Sequence, residues 1–137
     1  MEGEMIARRF FKTVVATLIA TGGLISEASA DVNNYQFKLV NQAVKIGAGV
    51  VITVRLVNKS TGSPVPDAVI AASRLDMTPD GMPTMTTRLE SIPGAEPGTY
   101  QFKADIRMAG RWQLSLGVRV PGERAIVERK LIIKADK

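Results

Sequence analysis

The chain contains neither cysteine nor histidine among its 137 residues. Without thiols it can form no disulfide and no thiolate nucleophile, and without imidazole it lacks the commonest general base and the usual ligand of Zn(II) and Cu(II). The remaining serines, lysines and carboxylates form no nucleophile motif such as G-x-S-x-G or S-x-x-K, and no glycine-rich phosphate loop is present. The sequence therefore predicts a protein that is not an enzyme.

Aromatic residues are also scarce, at 5% of the chain, although the net charge is +5. The basic residues are spread along the sequence rather than grouped. A nucleic-acid-binding surface usually combines clustered Lys and Arg with exposed aromatic side chains. We therefore expect no nucleic-acid partner, and the charge fits a solvated sheet face with weak attraction to anionic membranes or acidic partners.

Residues 1–30 have the features of an export signal. Arg8, Arg9 and Lys12 form a basic start, residues 13–25 are mostly apolar, and residues 28–30 (ASA) form an A-x-A cleavage site. This pattern predicts cleavage after Ala30 and a periplasmic or otherwise exported protein, with no stable membrane span in the mature form. Retention of the segment as an anchor is the alternative, and the arginine pair leaves both the general secretory and the twin-arginine routes open.

The segment 31–137 is long enough for one domain with a single core. Its C-terminal half alternates apolar and polar residues with the period of a β-strand. The apolar positions of the first run are Tyr100, Phe102, Ala104, Ile106 and Met108, and those of the second are Trp112, Leu114, Leu116, Val118 and Val120. Because residues 109 and 110 (AG) favour a turn, these runs predict a hairpin, followed by a third strand within 125–133.

Further strands are predicted upstream of this hairpin. Their ranges are 35–40, a short one at 43–47, then 50–56, 68–75 and 86–92. The segment 76–85 (DMTPDGMPTM) contains two prolines and a glycine, which predicts a loop. About seven strands with no convincing helix indicate an all-β, immunoglobulin-like sandwich of two antiparallel sheets. Trp112 is predicted to be a core residue and Tyr100 a core or corner residue.

Three methionines, Met77, Met82 and Met85, lie within that predicted loop. Thioethers are soft, uncharged ligands that favour Cu(I) and Ag(I), so the segment suggests a site for one of these monovalent ions. Met108 is a further candidate ligand, although its place in the alternation points it inward and favours core packing. The alternative is that the methionines only fill gaps at the end of the sandwich.

Four segments in this order resemble the FixH/YtkA-like family of exported β-sandwich domains. They are residues 61–68 (TGSPVPDA), the methionine segment, residues 97–100 (PGTY) and residues 108–112 (MAGRW). The resemblance implies a link to copper handling, heavy-metal efflux or assembly of membrane copper enzymes. It matches Met77, Met82 and Met85 to the Met-rich loop and Met108 to the MAGRW segment. FixH is membrane-anchored, whereas the signal here has a cleavage site.

Together these features predict a small exported binding module that holds or delivers Cu(I) or Ag(I), with no other cofactor. We expect a monomer or weak oligomer with an envelope protein as partner. The alternative is a metal-free interaction domain whose methionine segment docks an efflux or oxidase-assembly component.

Overall fold

The computed structural model describes residues 32–137, and the predicted signal peptide with its cleavage point after Ala30 lies outside them. Nine strands follow a single turn of 3₁₀ helix at Val32–Asn34. They are β1 (Tyr35–Leu39), β2 (Ala43–Lys45), β3 (Gly47–Asn58), β4 (Val69–Met77), β5 (Met82–Thr87), β6 (Leu89–Ile92), β7 (Thr99–Ile106), β8 (Gly110–Arg119) and β9 (Ile126–Asp136). Within this described part, no helix has the length and apolar character needed to cross a membrane.

The strands form two sheets, with the orders β1-β3-β7-β6 and β2-β9-β8-β4-β5. This arrangement confirms the predicted immunoglobulin-like sandwich, although it has nine strands rather than about seven. The sheets are also not wholly antiparallel, because β2 runs parallel to the end of β9. Parallel strands are not joined by a tight hairpin turn, so no turn signal in the sequence indicates the pairing of β2 with β9.

Alternation on the long strands supplies the core. On β7 the side chains of Phe102, Ala104 and Ile106 are buried, while the residues between them reach solvent. On β8, Trp112 and the apolar residues that follow it at every second position are buried in the same core cluster. Burial of each large aliphatic or aromatic side chain contributes about 1.5–3 kcal/mol.

Tyr100 joins the core to the long turn before β4. Its hydroxyl donates to the carbonyl oxygen of Val65 at 2.7 Å and accepts from the backbone N–H of Ala68 at 3.0 Å. Burial raises the pKa of the phenol, so the protonated form that makes both hydrogen bonds is favoured. The structural role predicted for Tyr100 thus has a defined geometry.

The predicted hairpin of residues 100–120 is wrong. Strand β7 pairs with β3 and β6 in one sheet, whereas β8 pairs with β4 and β9 in the other. Residues 107–109 therefore carry the chain from one sheet to the other. Period-two alternation shows which face of a strand is buried, but it carries no information on which strand is the hydrogen-bonding neighbour.

The methionine segment is more ordered than the predicted loop. Strand β4 continues to Met77, a 3₁₀ turn covers Thr78–Asp80, and Met82 already begins β5. Gly81, with φ +76°, makes the tight turn between them, and Pro83 is tolerated because β5 lies at the sheet edge. The strand predicted over 86–92 is interrupted at Arg88, where the chain passes into the other sheet as β6.

Candidate metal site

The four methionines of the domain lie in two different environments. Met77 is completely buried, with 0% of its surface exposed, and belongs to the hydrophobic core. Met82, Met85 and Met108 are exposed by 36%, 37% and 38%. The inward orientation expected for Met108 is wrong, because β7 ends at Ile106 and the strand alternation does not extend to residue 108.

Met85 and Met108, which are distant in sequence, line one open cleft of about 440 Å³. The other residues that line it are Thr86, Thr87, Arg88, Asp105, Arg107 and Trp112. The cleft lies beside two of the connections that cross between the sheets, one at Arg88 and one at 107–109. Sequence spacing within the methionine segment did not indicate this pairing.

Trp112 fixes the backbone on the Met108 side of the cleft. Its indole Nε1–H donates to the carbonyl oxygen of Met108 at 3.0 Å, and the side chain is 2% exposed. A buried ring held at both its apolar body and its N–H has little freedom to move. Sequence reasoning assigned Trp112 to the core but missed its place at the cleft, which its closeness to Met108 in the MAGRW segment could have suggested.

The Met85 side of the cleft is formed by a bulge at the sheet edge. Asp76 on β4 lies opposite Thr86 on β5, while the next β4 residue, Met77, lies opposite Met82. Residues 83–85 therefore have no register partners on β4 and form a bulge there. The backbone at Met85 is thus displaced from the regular ladder.

A buried acidic residue anchors this bulge through an arginine. Arg74 donates from Nη2 to the carbonyl oxygen of Pro83 at 2.8 Å and from Nε to Asp76 Oδ2 at 2.7 Å. The other carboxylate oxygen of Asp76 accepts from the backbone N–H and the hydroxyl of Thr78. The bulge is therefore held to β4 by side chains where the backbone ladder is interrupted.

The Asp76 carboxyl is ionised in this network. Its burial acts to raise the pKa, but the hydrogen bonds from Thr78 and Arg74, together with the charge of Arg74, outweigh burial and leave the pKa below its ordinary value. The charged form that orients Arg74 is therefore present at neutral pH.

Met77 packs beneath the start of β8 and away from solvent. A Cβ atom placed on Gly110 would lie 2.5 Å from Met77 Cε and 2.5 Å from Asp80 Oδ2, and Gly110 has φ +144°. Asp80 in turn accepts hydrogen bonds from the backbone N–H and the Nε of Arg111, each at 2.8 Å. The structure thus places Met77 in a packed junction rather than at the cleft.

The charges around the cleft are mixed. The carboxylate of Asp105 accepts from the backbone N–H of Gly49 at 2.8 Å and lies 4.0 Å from the guanidinium of Arg107. Within residues 32–137 no three His, Cys, Asp or Glu side chains are grouped so as to hold a metal ion. Besides these charged groups and Arg88, the lining includes the neutral sulfurs of Met85 and Met108, and thioethers suit a soft monovalent cation better than a hard divalent one.

A family model described as YtkA-like matches residues 29–117 of the chain. Among solved structures, the Lin-41 filamin domain is similar with a TM-score of 0.46 and 17% identity, over 80% of this chain and 98% of that one. The ZirS C-terminal domain has a TM-score of 0.47 and 14% identity, over 81% of this chain and 71% of that one. The comparison with curated protein sequences gave no significant match.

Proposed function

Because the chain belongs to the YtkA-like family, we propose that it is an exported, non-enzymatic module that binds Cu(I) or Ag(I) through the thioethers of Met85 and Met108. The observation that carries this proposal is the position of both side chains on one cleft. Two thioethers are sufficient donors for a soft monovalent ion, for which low coordination numbers are common.

The degree of exposure supports a transfer role. Met85 and Met108 are more than one-third exposed, so an ion held between them remains accessible to an incoming ligand from a partner protein. We propose that this partner is an envelope component of metal efflux or copper-enzyme assembly. The basic start and A-x-A site of residues 1–30 support delivery of the chain to that compartment.

Trp112 lines the same cleft but is 2% exposed, so its indole serves as a reporter of the site rather than as a ligand. Met82 lies on the same edge strand as Met85 but is not among the residues that line the cleft, and Met77 is in the core. The proposed ligand set is therefore narrower than the full group Met77, Met82, Met85 and Met108.

Fluorescence of Trp112, the single tryptophan, tests the proposal directly. Titration of the purified protein with Ag(I), and with Cu(I) under reducing conditions against a competing chelator, should quench or shift its emission as the site fills. The double variant Met85→Leu/Met108→Leu should lose this response, because leucine keeps the apolar volume but removes the sulfur.

Met82→Leu is the matched control, since Met82 is on the same strand and is as exposed as Met85. It should bind like the unmodified protein. Equal uptake and equal emission changes in the double variant and the unmodified protein would overturn the assignment of Met85 and Met108.

A second candidate function is docking of an envelope protein without metal. It is favoured by the exposure of Met82 and Met85 on the edge strand β5, since edge strands and flexible thioether side chains both suit contact with a partner. Negligible Cu(I) and Ag(I) uptake by the unmodified protein, together with loss of partner binding in a Met82/Met85 variant, would favour this function.

A further inference from the structure

The methionines of the domain differ sharply in access to dissolved oxidants. Met77 is 0% exposed, whereas Met82, Met85 and Met108 are 36–38% exposed. Oxidation of methionine requires approach of the oxidant to the sulfur lone pair, so its rate follows exposure. The chain therefore carries three reactive thioethers and one protected thioether within the same domain.

We propose that Met85 and Met108 form a reversible oxidation site, at which peroxide ends soft-metal binding while the domain stays folded. The metal part of this inference rests on the proposed function, but the oxidation itself does not. It follows from the exposed position of both side chains on one cleft and from the buried position of Met77.

The chemistry requires only a peroxide. The thioether sulfur attacks one peroxide oxygen, the O–O bond breaks, and an S–O bond forms, giving a sulfoxide. The second oxygen leaves as water after proton transfer. Sulfur is oxidised by two electrons and the peroxide is reduced by two. Methionine sulfoxide reductases reverse the reaction with electrons from thiols.

Oxidation at the cleft changes the ligand without disturbing the core. A sulfoxide is polar and presents a hard oxygen, so it is a poor ligand for Cu(I) or Ag(I). Because Met85 lies in an edge bulge and Met108 in a connection after β7, the added oxygen can be solvated. The same change at Met77 would place a polar group in the hydrophobic core and would destabilise the fold.

A bound ion should protect the same sulfurs. Coordination withdraws electron density from the sulfur and covers one side of it, so a metal-bound thioether attacks peroxide more slowly than a free one. The cleft thus links metal occupancy to oxidant resistance, and the exposed Met82, outside the lining residues, should not receive this protection.

The experiment treats the purified full chain with dilute hydrogen peroxide, with and without Ag(I), and follows each methionine by peptide mass spectrometry. Met85 and Met108 should be oxidised at least about tenfold faster than Met77, and Ag(I) should slow both but not Met82. Circular dichroism should show a retained β fold. Oxidation should lower the Ag(I) affinity at least about tenfold, and reductase treatment should restore it. The Met82→Leu variant should behave in the same way, because Met82 does not line the cleft.

Three results would overturn the inference. They are oxidation of Met77 at the rate of Met85, unfolding on oxidation of Met85 and Met108, or undiminished Ag(I) affinity in the doubly oxidised protein. If the unoxidised protein binds no Ag(I), the proposed function fails instead, and the oxidation site is then judged by its selectivity, the retained fold and its reversal by the reductase.

Discussion

The indole Nε1–H of Trp112 donates a hydrogen bond across 3.0 Å to the carbonyl oxygen of Met108. A core residue of β8 therefore fixes the backbone of a residue that has just left β7 in the opposite sheet. The core packing of Trp112 therefore fixes the backbone of Met108 at the cleft, while the exposed Met108 side chain keeps its flexibility.

Replacing Trp112 by Phe removes this hydrogen bond and leaves a cavity. We expect the free energy of unfolding to fall by about 2–4 kcal/mol, from lost packing and from the unpaired carbonyl. Urea denaturation followed by circular dichroism measures this loss. Met108→Ala is the control, because it keeps the backbone carbonyl and truncates an exposed side chain, so it should change stability by less than about 0.5 kcal/mol. Equal losses in both variants would contradict the assigned role.

Gly110→Ala should destabilise the domain by about 1–3 kcal/mol. The new Cβ would meet Met77 Cε and Asp80 Oδ2, each at 2.5 Å, at a positive φ that disfavours alanine. Thermal unfolding measures the effect. Gly47→Ala is a suitable control, since the Cβ there has no neighbour within 4 Å and φ is not positive. A Gly110→Ala protein as stable as the Gly47→Ala protein would show that this junction is not tightly packed.

Tyr100→Phe removes one hydroxyl that serves two backbone groups, the N–H of Ala68 and the carbonyl of Val65. The expected loss of stability is about 1–3 kcal/mol, because both groups lose a partner at a half-buried position. Denaturant unfolding measures this loss. In the unmodified protein, alkaline absorbance titration should show a component that ionises above the ordinary tyrosine pKa of about 10, and the variant should lack it, as burial of Tyr100 requires. An unchanged midpoint of unfolding in the variant would contradict this bracing role.

Acid should destabilise the junction at Asp80. The backbone N–H of Arg111, and then its side chain, lower the pKa of the Asp80 carboxyl in the folded state. A lowered folded pKa means that the stabilisation is fully present above the unfolded value of about 3.9 and is lost as the pH falls through the folded value.

Asp80→Asn should therefore be less stable than the unmodified protein at neutral pH and should lose less stability on acidification. Thermal midpoints measured from about pH 7 down to about pH 2.5 test this, and the lowered pKa of Asp76 should leave a residual slope in the variant. Parallel curves for the two proteins would rule out the Asp80 contribution.

Binding of Ag(I) by Met85 and Met108 should vary little between about pH 5 and pH 8, because thioethers have no proton to lose. The same fluorescence titration, repeated across that range in a buffer that does not bind silver, measures it. A tenfold rise in affinity with each pH unit would indicate a ligand that must be deprotonated and would exclude a thioether-only site.

The sequence contained enough information for the core but not for the pairing of strands. Alternation identified the buried faces of β7 and β8 because side-chain direction is a local property of a strand. The crossing at 107–109 and the sheet change at Arg88 are long-range choices, set by which edges meet in three dimensions.

The candidate site shows the same division between local and long-range information. The methionine segment suggested Met77, Met82 and Met85 as candidate soft ligands, with Met108 as a further candidate. The structure then separated Met77, which lies in the core, from the exposed pair at the cleft. Burial of Met77 follows from the extension of β4 by two residues beyond the predicted strand end at Leu75. A small error at a strand boundary was sufficient to misplace one side chain completely.

Two of the connections that cross between the sheets lie beside the cleft, one after β5 and one after β7. Met85 belongs to the five-stranded sheet just before the chain leaves it, and Met108 follows the last strand of the four-stranded sheet before the chain returns. An ion bound by both sulfurs would connect the two sheets at the cleft. Occupancy would then raise the melting temperature and slow amide exchange in β5 and at the end of β7. Ion binding could therefore be detected from the stability and local rigidity of the domain.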